Sequence, residues 1–125
     1  MADILIIDDD PQILRALAGL LEQQGHTVRQ AGDGARALAL LNEESADLVI
    51  SDIYMPEMDG IEFLIRVHEE FPDLPIVAMS GGGFMPRDEL LEDASQLGAV
   101  QILAKPFALA DVLRVVENAL GGSSP

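Results

Sequence analysis

Five polar positions stand directly behind apolar runs in this chain, and their side chains are of the types that hold cations and phosphoryl groups. Asp8 and Asp9 follow "ILII", Asp52 closes "LVISD", Ser80 closes "IVAMS" and Lys105 closes "ILAK". A hard divalent cation takes oxygen ligands, usually one or two carboxylates with water and phosphate oxygens completing an octahedron. A hydroxyl and an ammonium group suit the remaining phosphoryl oxygens. Lys105 is the only lysine among seven basic residues, the other six being scattered arginines. The run "IDDD" also raises an energetic question. Two carboxylates about 4 Å apart repel by roughly 4 kcal/mol at an effective dielectric near 20, so a compensating partner is required. Asp10 has a separate explanation, because it precedes Pro11 where a helix can begin, and aspartate is a favoured N-cap.

The elements that must position these residues alternate regularly along the chain. Apolar runs of strand length cover Ile4–Ile7, Thr27–Ala31, Leu48–Ser51, Ile76–Met79 and Val100–Ala104. "ILII" and "LVI" do not alternate with polar residues, as expected for strands covered on both faces in a parallel sheet. Helical periodicity fills the gaps: "PQILRALAGLLEQQG" ends on Gly25 as a left-handed cap, "DGARALALLNEE" starts behind Asp33, and "DGIEFLIRVHEEF" starts behind Asp59. "PRDELLEDASQLG" and "LADVLRVVENAL" supply two further helices. Five strand–helix units with right-handed crossovers predict a (βα)5 chain folded as a doubly wound three-layer α/β sandwich. In such open sheets ligands bind beyond the carboxyl ends of the strands, where all five polar positions fall.

Composition narrows the function. A length of 125 residues predicts one domain over residues 1–120, with 121–125 as a disordered tail or the start of a linker. No run of about 18 apolar residues is present, and Asp3 stands where a signal peptide carries basic residues, so a cytoplasmic protein is expected. There is no cysteine, hence no disulfide and no thiolate metal site. A formal net charge of −15 argues against direct nucleic-acid binding, which depends on clustered Lys and Arg, and favours cations or proteins with basic surfaces as partners. His26 and His68 are isolated, without a spacing that suggests a metal site. Met55 and Met58 read as loop packing, and Phe107 as a core anchor.

Taken together, "ILIIDDDP", "DLVISDIYMPEMDG", "VAMS" and "LAKPF", in this order from Asp3 to about Leu120, resemble the receiver domain of two-component response regulators. The resemblance implies a flavodoxin-like fold with sheet order 2-1-3-4-5. It implies that Asp52 is a phosphoacceptor served by a sensor histidine kinase or a histidine phosphotransfer protein. It further implies Mg²⁺ (or Mn²⁺) at Asp8, Asp9 and Asp52, with the Tyr54 backbone carbonyl as another ligand. Ser80 and Lys105 would bind phosphoryl oxygens, with Pro106 behind a cis peptide bond. A downstream protein partner, or a homodimer linked to phosphorylation, follows from the same likeness, while membrane contact does not.

Two departures from the family pattern stand out. Ile102 occupies the position, three residues before the lysine, where receivers often carry a switching aromatic residue. The segment "GGGFMPRDE" is longer than usual, with Gly81, Gly82 and Gly83 permitting backbone conformations closed to other residues. Phosphorylation is therefore expected to reorder residues 81–87. Two alternatives remain on the residues alone. One is a small haloacid-dehalogenase-like phosphohydrolase with Asp8 as nucleophile and Asp10 two residues on; the other is a scaffold that is never phosphorylated.

Overall fold

The computed structural model describes residues 2–52, 60–80, 99–104 and 107–122. The five apolar runs form five strands: β1 (Asp3–Ile7), β2 (Thr27–Ala31), β3 (Leu48–Asp52), β4 (Ile76–Ser80) and β5 (Ala99–Ala104). Between and after them, the described helices are α1 (Pro11–Gln23), α2 (Gly34–Glu43), α3 (Gly60–Glu70) and α4 (Leu109–Glu117). All neighbouring strands pair in parallel, in the order β2-β1-β3-β4-β5. This is the doubly wound arrangement and the sheet order expected. The helix expected over "PRDELLEDASQLG", the Asp59 cap and the loop with Met55 and Met58 lie outside the described residues, as does the glycine-rich segment 81–87.

Strand periodicity divides the core into two layers. Side chains alternate across a strand, so Ile4 and Ile6 of β1 face one side while Leu5 and Ile7 face the other. The first set packs with Leu14, Leu17 and Leu21 of α1 and Val112, Val115 and Val116 of α4. The second packs with Leu38 and Leu41 of α2 and Phe63, Leu64 and Val67 of α3. Helices thus cover both faces of the sheet. β1 and β3, in its centre, are buried nearly throughout, whereas the edge strand β2 is largely exposed or half-buried. Phe107 packs against the α1/α4 layer as expected. Between β4 and β5 the register slips by one residue at Ile76/Val77, after which Ile102 lies level with Ala78 and packs on the α2/α3 layer.

Local sequence fixes the helix ends. Asp10 caps α1 by accepting a hydrogen bond from the Gln12 amide at 2.9 Å, with Pro11 at the first helical position. The helix closes in a Schellman motif: the His26 amide donates to the Leu21 carbonyl at 3.2 Å and the Gly25 amide to the Glu22 carbonyl at 3.0 Å. That geometry needs a left-handed residue, and Gly25 supplies it at φ 92°. Asp33 caps α2 by accepting from the Arg36 amide at 2.8 Å. α4 continues into a wider turn over Asn118–Gly122, with Gly121 at φ 93°.

Arg29 has a part that its place among the scattered arginines does not reveal. From β2 its guanidinium donates to the carbonyls of Leu40, Glu44 and Ser45 at 2.9–3.0 Å and pairs with Asp3 at 3.2 Å. It therefore supplies donors to the Glu44 and Ser45 carbonyls just past the end of α2 and a second donor to the Leu40 carbonyl, which already accepts from the Glu44 amide at 3.0 Å. It also places positive charge at the negative end of the helix dipole.

Candidate functional site

Parallel register brings the acidic residues together. In the β1/β3 ladder Ile6 lies level with Ile50 and Ile7 with Ser51. One step further, Asp8 stands beside Asp52, and both share the parity of the side chains that face α1 and α4. Adjacent strands are about 4.8 Å apart, so the two carboxylates meet at the carboxyl edge of the sheet without either strand bending. Asp9, first residue of the turn into α1, completes the group. Carboxylate oxygens of Asp8, Asp9 and Asp52 lie within 4.8 Å of one another, the arrangement among the described residues that could hold a metal ion.

The three acids differ in environment. Asp8 is fully buried and Asp52 is 5% exposed, while Asp9 faces solvent. Burying a carboxylate is costly unless polar groups or cations face it. For Asp8 part of that compensation is local: its carboxylate accepts a hydrogen bond from the Asp10 amide at 2.9 Å, and its own amide donates to the Ala31 carbonyl at 3.2 Å. Asp8 therefore sets the turn from β1 into α1 as well as contributing charge. The signal was present in "DDDP", where Asp8 and Asp10 each stand two residues before an amide they can accept from, as short acidic side chains do in turns. Behind Asp52, the buried Ser51 hydroxyl donates to the Asp52 carbonyl at 3.0 Å, which satisfies the strand's last polar side chain on the opposite face.

The donor set fits a small hard cation. Metal–oxygen bonds of about 2.1 Å in an octahedron put neighbouring ligand oxygens about 3 Å apart and opposite ones about 4.2 Å apart. The three carboxylates, with oxygens within 4.8 Å of one another, are close enough to converge on such a cation, and exposed Asp9 leaves one side open to water or a further ligand. On the other side of Asp52, the β3/β4 ladder sets Asp52 level with Met79, so Ser80 ends β4 one residue beyond. Ser80 in turn lies level with Ala104, the residue before Lys105. The side chain of Ser80 and the residues Tyr54, Lys105 and Pro106 lie outside the described residues. The two histidines are apart: His26 accepts a hydrogen bond from the Ala2 amide through Nδ1 at 3.1 Å, and His68 is on the exposed side of α3.

Comparisons with known proteins give one family. Residues 4–117 match the response regulator receiver domain. The chain is 36% identical over 124 residues to the transcriptional regulatory protein GlrR of Escherichia coli, covering 99% of this chain and 27% of GlrR. It therefore spans about a quarter of the length of that longer relative. It is 38% identical to the response regulator receiver protein CpdR of Brucella abortus, covering 96% of this chain and 98% of CpdR. Among solved structures, the receiver domain of NtrX from Brucella abortus superposes with a TM-score of 0.88 at 36% identity, covering 97% of this chain and all of that one. The chemotaxis protein CheY4 of Vibrio cholerae superposes with a TM-score of 0.87 at 30% identity, covering 95% and 98%. With its sheet order, its acidic cluster at the strand ends and these likenesses in agreement, the chain belongs to the receiver domains of two-component response regulators.

Proposed function

We propose that Asp52 is the phosphoacceptor and that Asp8, Asp9 and Asp52 hold Mg²⁺ (or Mn²⁺) for the transfer, with the Tyr54 carbonyl as a further ligand. The observation that carries this reading is the meeting of the three carboxylates within 4.8 Å at the end of the sheet. Receiver domains are phosphorylated by histidine kinases, and here a sensor kinase or a histidine phosphotransfer protein is the donor. A carboxylate oxygen of Asp52 attacks phosphorus, the P–N bond to the donor histidine breaks, and the imidazole leaves with its electron pair and takes up a proton. Bound Mg²⁺ supplies charge neutralisation between two anionic reactants and keeps them in line. Burial of Asp52 limits water at the reacting oxygen, while exposed Asp9 keeps the donor's side open. The Ser80 hydroxyl and the Lys105 ammonium bind phosphoryl oxygens, a reading supported by the place of Ser80 at the end of β4, level with Ala104.

The product is an acyl phosphate, which is labile, as befits a signal read by a downstream protein rather than by steady turnover of a substrate. A cytoplasmic location accords with the signalling role. Among the described residues no helix is long and apolar enough to cross a membrane. The phosphohydrolase alternative needs Asp10 as a catalytic partner of Asp8, but the Asp10 carboxylate accepts from the Gln12 amide as the cap of α1, which counts against it. Intact-mass measurement after treatment with acetyl phosphate tests the proposal. One phosphoryl group per chain is expected with Mg²⁺ and none with EDTA or in Asp52→Asn. Sustained phosphomonoester turnover abolished by Asp8→Asn would overturn it.

A further inference from the structure

The opposite edge of the sheet carries a second feature that the phosphoacceptor site does not use. The residues immediately before β2, β1, β3 and β4 are His26, Ala2, Asp47 and Pro75, which follow one another in spatial order across the amino edge. At about 4.8 Å per strand they span about 14 Å, the length of four to five extended residues. Their backbones are tied together: the Ala2 amide donates to His26 Nδ1 at 3.1 Å, the Thr27 amide to the Ala2 carbonyl at 2.9 Å, and the Asp47 amide to the Asp3 carbonyl at 2.7 Å. The floor is therefore preformed.

Three recesses join along it. One of about 390 Å³ is bounded by Leu113, Val116 and Leu120, with Glu117 and His26 at its rim. It shares His26 and Leu120 with the next, of about 440 Å³, which contains Asp47 and Pro75. That recess shares Asp47 and Pro75 with a third of about 330 Å³, lined by Phe71, Leu74 and Asp73. The walls mix apolar side chains with polar groups, and among the described residues the charged ones lining them are Glu117, Asp47 and Asp73, all exposed and all negative, with the Asp47 carboxylate also accepting from the Asp3 amide at 2.8 Å. Among the described residues the acids close enough to share an ion are Asp8, Asp9 and Asp52, so these three act as separate charges along a track rather than as a cation cage.

We infer that this groove docks a short segment of a partner protein in which apolar and basic residues alternate. Apolar side chains enter the recesses, and Lys or Arg side chains face Glu117, Asp47 and Asp73. The charge pattern selects this occupant. Nucleic acid and anionic lipid surfaces are repelled by a chain of net charge −15, and an acidic segment by the rim itself. An ordered floor lowers the entropy lost on docking, which favours a linear segment over a large folded face. The groove lies a full strand length from Asp52, so a bound partner leaves the phosphoacceptor free.

Fluorescence anisotropy with a fluorescein-labelled peptide of alternating leucine and arginine tests this. Asp73→Asn/Glu117→Gln is expected to weaken binding roughly fivefold or more, and Glu43→Gln/Glu62→Gln, equal in charge change but on α2 and α3, less than about twofold. A serine–arginine peptide of the same charge should lose most of the affinity. Amide chemical shifts should move around His26, Asp47 and Leu120. Absence of binding, equal weakening in both double variants, or shifts centred on Asp8, Asp9 and Asp52 would overturn the inference. So would sedimentation showing, without peptide, that a second copy of the chain occupies the groove. Both groove substitutions are at exposed positions, and unchanged thermal melts establish that the variants are folded.

Discussion

Asp8, Asp9 and Asp10 are consecutive aspartates in three different settings, and each predicts a different response to loss of charge. Asp10 caps α1, so Asp10→Asn should leave both stability and the metal response intact, whereas Asp10→Ala should cost about 1 kcal/mol in thermal unfolding. Asp9 is exposed and adds repulsion to the pocket without a described hydrogen bond of its own to repay it. Asp9→Asn should therefore raise the melting temperature of metal-free protein by a few degrees, the response to about 1 kcal/mol for a domain of this size. The same substitution should abolish the rise that Mg²⁺ gives the unsubstituted chain, which follows from mass action on the folded state. If Asp10→Asn instead removed the Mg²⁺ response, the division of "IDDD" into pocket and cap would be wrong. Asp8 is the position where the two roles meet. Its carboxylate serves both the cluster and the Asp10 amide, so Asp8→Ala should lower stability as well as metal affinity.

At the level of elements, helices and strands were legible because their signals are local. Pro11 after Asp10, Gly25 at the end of an apolar stripe and Asp33 before "GARALALL" each name a helix boundary through a backbone bond that the structure contains. The uninterrupted runs "ILII" and "LVI" likewise announced central strands, since only a strand covered by helices on both faces can be apolar at every position. From that arrangement the carboxyl-edge location of Asp8, Asp9 and Asp52 followed. The part of Arg29 was not legible, because its bonds cross from β2 to the end of α2 and to Asp3, and nothing near it in sequence marks those partners. The amino-edge groove was hidden for the same reason: its floor is built from residues brought together only by strand order. Arg29→Ala should cost about 1.5–3 kcal/mol in denaturant unfolding, as expected for losing charge-assisted hydrogen bonds. Amide exchange should quicken first in the last turn of α2. Arg29→Lys should recover only part of the loss, since an ammonium lacks the planar fork that reaches three carbonyls and a carboxylate together.

Across the whole molecule, the excess of negative charge and the acidic pocket act in the same direction. A chain of net charge −15 repels itself when folded, and screening should relieve that repulsion. With EDTA present, raising NaCl from about 0.01 to about 0.15 M shortens the Debye length from about 30 to about 8 Å, and the melting temperature should rise. A fall would mean that surface ion pairs outweigh the excess charge. The same surplus draws cations toward the carboxyl edge of the sheet, where burial of Asp8 and Asp52 concentrates the field. The two-layered core holds that edge in place through the β1/β3 register, so the chemistry depends on the fold as a unit. Borohydride reduction after phosphorylation with acetyl phosphate and Mg²⁺, followed by peptide mass sequencing, tests this account most directly, because reduction converts a phosphorylated aspartate to homoserine where it stands. The prediction is homoserine at position 52 and nowhere else; homoserine at position 8 or 9 would contradict it.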